Sequence, residues 1–223
     1  AGKYGYLPRT AGMHPDVFEV LAHPRDPAAQ QRANRYIEEV NRHAGSDALY
    51  LIDLQGLTLA ASNWATPQSF VGESYANRPY FIDARAGRSG LFYGVGQTTG
   101  EPGLFMSAPV RSEAGAVLGV LTVKISLRQL QEAWTFAREP ILLADARGIV
   151  FLSSVPAWMY QAKRPLAAAE LDRLKHEQQY GARTGFPPLP WTVAHEEGHP
   201  GYLVRTDVGG QARRFLALDE PLP

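Results

Sequence analysis

Between Ser62 and Lys124 the chain carries a set of side chains suited to gripping a small organic acid. They are Arg78, Lys124, the hydroxyls of Thr98, Thr99 and Ser107, and the phenols of Tyr75 and Tyr80. A guanidinium offers a planar fork that matches a carboxylate, an ammonium adds a point charge, and hydroxyls fill the remaining acceptor positions. Two cations among hydroxyls point to an anionic ligand. Arg78 precedes Pro79, which biases it towards extended geometry at a helix entrance, where backbone N–H groups also favour anions. The competing reading makes Arg78 a surface residue in a salt bridge with Glu73 or Asp83. Lys124 stands in a strand otherwise rich in Val, Leu and Ile, where a buried lysine without a partner is costly; the alternative is an edge-strand lysine that snorkels to water. Thr98, Thr99 and Ser107 could equally satisfy nearby backbone groups. Tyr80 is assigned to the core, while Tyr75 fits either the core or a pocket.

Several elements must position these groups. His14-Pro15 opens a short amphipathic helix with Val17, Val20 and Leu21 on one side, ended by His23-Pro24, where proline removes a backbone donor. Asp26-Pro27 reads as the N-cap and first residue of a second helix running to about His43, with Gly45 just beyond it. Ala48 to Leu54 and Leu57 to Ser62, joined at Gln55-Gly56, form a hairpin. A short helix from Pro79 to about Ala86 is followed by strands at about Leu91 to Gln97, Leu104 to Val110 and Val117 to Ser126. In the last strand Val117, Gly119, Leu121, Val123 and Ile125 share one face, so Lys124 projects from the other with Thr122 and Ser126.

The stretch Leu51 to Ser62 returns in outline as Leu143 to Ser154. Asp53, Gly56 and Ser62 keep their spacing as Asp145, Gly148 and Ser154. Both copies read as strand, Asp-containing turn, strand, so the chain reads as two tandem modules with a boundary near Glu139. The competing reading is two unrelated hairpins sharing ordinary turn chemistry. The second copy continues with a helix over about Ala167 to Gln179, a Pro-rich loop at Phe186 to Pro190, and strands near Thr192, Tyr202 and Ala212 to Leu218.

Composition removes several function classes. Twenty-two basic residues balance 22 acidic ones, so no electrostatic footprint for nucleic acid or an anionic membrane surface is present. The absence of cysteine excludes a disulfide framework, thiol catalysis and thiolate metal sites. No apolar run reaches membrane-spanning length, and the first residues read as the continuation of a longer chain. His195-Glu196-Glu197-Gly198-His199 fits the H-E-x-x-H pattern of zinc hydrolases. That chemistry needs both imidazoles on one face of a helix, whereas Pro190 lies upstream, Gly198 sits inside and Pro200 follows. A polar loop between strands is the better reading, and no P-loop, dinucleotide or G-x-S-x-G fingerprint occurs.

Jointly, a set of motifs resembles the periplasmic sensor region of four-carbon dicarboxylate sensor histidine kinases of the Dct (DctB) type. They are Leu49-Tyr50 with Asp53, Ala61-Ser62-Asn63-Trp64, Phe70-Val71-Gly72, Tyr75-x-x-Arg78-Pro79-Tyr80-Phe81, Thr98-Thr99-Gly100-Glu101-Pro102-Gly103 and Lys124. Leu142-Leu143-Ala144-Asp145 with Gly148, Ser153 and Trp158 extends the resemblance into the second half. The resemblance implies an α+β double Cache (double PDC) fold: a long N-terminal helical segment over 1–46, a membrane-distal PAS-like ligand-binding module over 47–139 and a membrane-proximal PAS-like module over 140–223, each with an antiparallel sheet. It also implies ligand binding by Tyr75, Arg78, Thr98, Ser107 and Lys124, with Tyr93 and Thr99 as further members.

The expectation is therefore an extracytoplasmic, periplasmic sensor domain that binds a small dicarboxylate, signals by a change of shape and performs no chemistry. It needs no cofactor or metal and has no catalytic residues. The parent chain is expected to be a membrane-anchored histidine kinase that dimerises through the N-terminal helix. Two alternatives stand beside it. One is a Cache domain of a chemotaxis receptor for a small organic acid; the other is a metal-dependent hydrolase using His195, Glu196 and His199. Amino-acid-binding Cache modules need a carboxylate for the ligand ammonium, and Lys124 stands where that Asp would be sought, which favours an acid without an amine.

Overall fold

The computed structural model describes residues 4–134, 139–195, 202–208 and 211–218. Two compact units emerge: Ala1–Arg128 with Leu171–Thr184, and Gln129–Glu170 with Gly185–Pro223. The sequence suggests a single boundary near Glu139. The structure instead groups residues 171–184 with the first unit, a long-range association that no local pattern encodes.

The first unit opens with helices α1 (Leu7–Ala11), α2 (Pro15–Ala22) and α3 (Pro27–Ala44). The long N-terminal helix implied by the resemblance is thus three helices, the longest of 18 residues. The breaks follow from chemistry. His23 leaves helical geometry at φ −128°, ψ 64° just before Pro24. Asp26 then caps α3 by accepting from the Ala28 N–H at 3.0 Å, with Pro27 in the first turn, and Gly45 closes it in the left-handed region at φ 65°.

Five antiparallel strands follow: β1 (Ala48–Ile52), β2 (Thr58–Ala61), β3 (Gly90–Val95), β4 (Pro102–Arg111) and β5 (Val117–Ser126), in the order β2-β1-β5-β4-β3. Helix α4 (Pro79–Arg85) lies between β2 and β3 in sequence. The sheet is buried on both faces. On one, Leu49, Leu51, Met106, Leu121 and Val123 pack with Val17, Val20, Ala33 and Ile37 of the N-terminal helices. On the other, Tyr50, Ile52, Phe105 and Val120 pack with Phe70, Tyr75, Tyr80 and Phe81. Each fully buried aliphatic or aromatic side chain contributes about 1.5–3 kcal/mol of transfer free energy, so both layers hold the sheet. The face of β5 that alternation marks as less apolar therefore points into a second core.

The second unit contains all but the first residue of α5 (Arg128–Trp134), a two-stranded sheet of β6 (Leu142–Ala144) and β7 (Val150–Ser153), and a three-stranded sheet ordered β10-β9-β8. The latter comprises β8 (Trp191–His195), β9 (Tyr202–Val208) and β10 (Gln211–Ala217). Helix α6 (Ala168–Glu177) starts among residues of this unit and ends among those of the first.

The internal repeat holds at the level of single hydrogen bonds. Asp53 Oδ1 accepts from the Gln55 and Leu57 N–H groups, both at 2.9 Å, and Asp145 Oδ1 accepts from Arg147 and Ile149 at 3.0 and 2.9 Å. Gly56 and Gly148 take the left-handed conformation these turns need, at φ 94° and 82°. At the far end the Ser62 hydroxyl accepts from the Leu49 N–H at 3.0 Å, as the Ser154 hydroxyl does from Ile141 at 2.9 Å. Three equivalent bonds at one offset argue for a shared module, because unrelated hairpins share the turn but not the serine latch.

Candidate functional site

Tyr50, Phe70, Tyr75, Arg78, Tyr80, Gly96, Gln97, Thr98, Phe105 and Lys124 line a cavity in the first unit of about 230 Å³ including its mouth. Its floor is aromatic. Tyr80 stacks on Phe105 at 5.2 Å, Tyr50 meets Phe70 edge to face at 5.2 Å, and the Tyr50 hydroxyl donates to that of Tyr80 at 2.7 Å. Burial raises the pKa of all three tyrosines in the lining, that of Tyr75 to about 12, so their phenols stay neutral at physiological pH.

Arg78 is 1% exposed and occupies the N-cap position of α4 in extended geometry, as its place before Pro79 requires. One guanidinium NH2 group donates to the Glu177 and Gln178 carbonyls at 3.0 and 2.9 Å; the other donates to the Val95 carbonyl at 3.0 Å. Its Cζ lies 4.9 Å from the Phe92 ring centroid. Arg78 thus ties the end of α6 to the end of β3 while facing the cavity. A salt bridge to Glu73 or Asp83 is not formed; Asp83 pairs with Arg88 at 2.6 Å.

Lys124 is 1% exposed. Its ammonium lies 2.7 Å from Asp47 and donates to the Thr99 hydroxyl at 3.1 Å, which leaves one of its three donors for a further acceptor. The snorkelling alternative fails because β5 is central, flanked by β1 and β4. The ion pair explains how the strand tolerates a buried charge. Asp47 was invisible to sequence reasoning: it stands one residue before β1, and only the register Ala48 to Lys124 brings it beside the lysine.

Tyr75, Arg78, Thr98 and Lys124 therefore meet around one cavity, with the Tyr75 and Thr98 hydroxyls 2.8 Å apart and Thr99 joined through Lys124. Ser107 and Tyr93 do not line it. Ser107 Oγ donates to the Tyr80 carbonyl at 2.7 Å, against Gly90, where a Cβ would sit 2.6 Å from that same carbonyl. Tyr93 packs on Tyr180 at 5.8 Å, and its carbonyl accepts from the Gln179 side chain at 3.1 Å. Besides Asp47, the sequence reading missed Tyr50, Phe70, Gln97 and Phe105, apolar or neutral residues that become lining only when strands and loops converge. Gln97 also bonds the side chain of Gln178. Of the H-E-x-x-H residues, His195 ends β8, and Glu196 and His199 lie outside the described residues. Among the described residues no cluster of three His, Cys, Asp or Glu side chains could hold a metal ion, and no helix is long and apolar enough to cross a membrane.

Comparison with known proteins places this geometry. A Cache domain matches residues 7–198. The C4-dicarboxylate transport sensor protein DctB of Pseudomonas aeruginosa is 38% identical over 172 residues, covering 77% of this chain and 28% of that protein. The protein of the same name from Rhizobium meliloti is 31% identical over 201 residues, covering 89% of this chain and 32% of its own length. The chain thus spans about a third of these relatives or less. The crystal structure of the V. cholerae histidine kinase DctB sensor domain superposes with a TM-score of 0.87 at 30% identity, covering 100% of this chain and 85% of that one. With its fold matched over its whole length and its sequence matched over most of it, the chain belongs to the Cache domain family and is a sensor domain of the DctB type.

Proposed function

We propose that this chain is the extracytoplasmic sensor region of a membrane-anchored two-component histidine kinase, and that it binds a four-carbon dicarboxylate of the succinate, fumarate or malate class. The observation that carries the reading is the pair of buried cations, Arg78 and Lys124, facing one small cavity beside the hydroxyls of Tyr75 and Thr98. A guanidinium has five donors and an ammonium three. Three donors of Arg78 and two of Lys124 are engaged within the protein, so both cations retain capacity for ligand oxygens. The two cations come from a helix entrance and a strand, so they can hold two ends of a short diacid. The aromatic floor lowers the local dielectric and strengthens each contact.

No catalytic role is assigned to any residue, and the output is conformational. A ligand that binds one arrangement of the loop around Gly96 to Thr99 better than another shifts the population between them. The parent kinase would read that shift, with dimerisation through the N-terminal helices. The second unit, which has no counterpart of the Arg78 and Lys124 pair at the same spacing, would serve as a relay.

Titration calorimetry of the intact chain with succinate, butyrate and aspartate tests the reading. Succinate should bind best. Removing one carboxylate leaves donors unpaired, and adding an ammonium sets a third cation near Arg78 and Lys124. Equal affinity for butyrate and succinate would refute the dicarboxylate assignment.

A further inference from the structure

We propose that Asp47 determines the charge selectivity of the site by offsetting one of its two buried cations, an inference that rests on the dicarboxylate reading above. Asp47 is held in place twice. Its N–H donates to the Lys124 carbonyl at 3.0 Å, and its carboxylate meets the Lys124 ammonium at 2.7 Å. The lysine side chain is 2% exposed and that of Asp47 31%, so the carboxylate is the more solvent-exposed partner of a buried ammonium that lines the cavity. Asp47 itself does not line the cavity. Its charge acts through space on a ligand in the cavity, while its contacts hold the Lys124 ammonium in place.

Charge follows from this arrangement. With Asp47 the cluster carries two positive charges and one negative; without it, two positive charges face the ligand. The carboxylate lowers the attraction for any bound anion, and lowers it more for a dianion than for a monoanion. A ligand charge about 7 Å from Asp47, at an effective dielectric constant of roughly 60 for a partly wet path, is disfavoured about fourfold per charge before salt screening. Asp47 thereby weakens binding of the very ligand class the site selects, and sets the affinity at which the sensor responds.

The test compares the wild-type chain with Asp47→Asn and Asp47→Glu by titration calorimetry, using succinate as the dianion and monomethyl succinate as the monoanion. Asparagine keeps a hydrogen-bond acceptor for the lysine but removes the charge. Asp47→Asn should bind succinate about tenfold more tightly and the monoester about threefold more tightly, while Asp47→Glu stays near wild type. A tightening cannot arise from mere loss of Lys124 positioning, which would weaken both ligands. Unchanged or weaker succinate binding in Asp47→Asn, or equal gains for both ligands, overturns the proposal and leaves the dicarboxylate reading standing. Failure of the wild-type chain to bind succinate overturns both.

Discussion

Replacing Arg78 with alanine should destabilise the first unit as well as disable its site. The guanidinium is 1% exposed and donates to three main-chain carbonyls, those of Val95, Glu177 and Gln178. A hydrogen bond to a charged group contributes about 1.5–3 kcal/mol when no water replaces it. Glu177 and Val95 are partly exposed and Gln178 is exposed, so water recovers part of this loss. Loss of the stem's packing and of the cation's contact with Phe92 adds about 1 kcal/mol. The net cost is about 4 kcal/mol, and in a chain of this length each kcal/mol lowers the melting midpoint by about 2–4 °C. Calorimetric melting should therefore show a fall of about 10 °C. Amide exchange should show the loss concentrated at 177–181, the segment that Arg78 pins. Arg78→Lys keeps the charge but cannot reach carbonyls on two elements with one fork, so it should recover about half the loss at most. A melting midpoint within 2 °C of wild type for Arg78→Ala, with unchanged exchange at 177–181, would show that these bonds carry no net stability and that the residue's burial serves ligand alone.

Four other outcomes are expected. Lys124→Met should weaken succinate binding at least about thirtyfold by calorimetry, since removing one partner of a desolvated charge pair costs on the order of 2–5 kcal/mol. Circular dichroism should remain native, because methionine fills the strand position and Asp47 can turn to water. Tyr75→Phe loses the 2.8 Å bond to Thr98 and one donor to the cavity while preserving the ring contacts with Tyr50 and Phe70, so binding should fall about two- to tenfold without loss of stability. In the second unit, hydrogen bonds from Arg164 and then from the Ala167 N–H hold the Glu170 carboxyl at about 2, below its ordinary 4.5. Because the folded value is depressed, its contribution is complete above about 4.5 and disappears as pH falls through about 2; the gap in melting midpoint between wild type and Glu170→Gln should hold from pH 7 to 5 and close near pH 2. Crystals grown with succinate should show the ligand in the first unit, and density for it in the second unit alone would reverse the assignment of roles.

Much of the local structure was legible from the residues because its causes are local. Asp26-Pro27 and Gly45 bound α3 through capping chemistry that acts within one turn, and the alternation from Val117 to Ser126 defined β5 to the residue. The repeated Asp, Gly and Ser announced two equivalent hairpins, and the same hydrogen bonds form in both. Residue type singled out Arg78 and Lys124 as candidates, since a cation amid apolar strand residues needs a partner and thereby marks a special place, while Tyr75 entered through the family resemblance. What local pattern could not settle was pairing across distance. Alternation says which side of β5 Lys124 leaves, but only the sheet order makes that strand central and both of its faces buried. Asp47 reads as an ordinary acidic residue before a strand until register sets it beside Lys124. Ser107 looks like a ligand hydroxyl until α4 brings the Tyr80 carbonyl to it. The return of residues 171–184 to the first unit, and with it the second task of Arg78, depends on contacts nearly a hundred residues apart. Sequence spacing carries no record of such contacts, because their free energy is gained only when the elements have already packed.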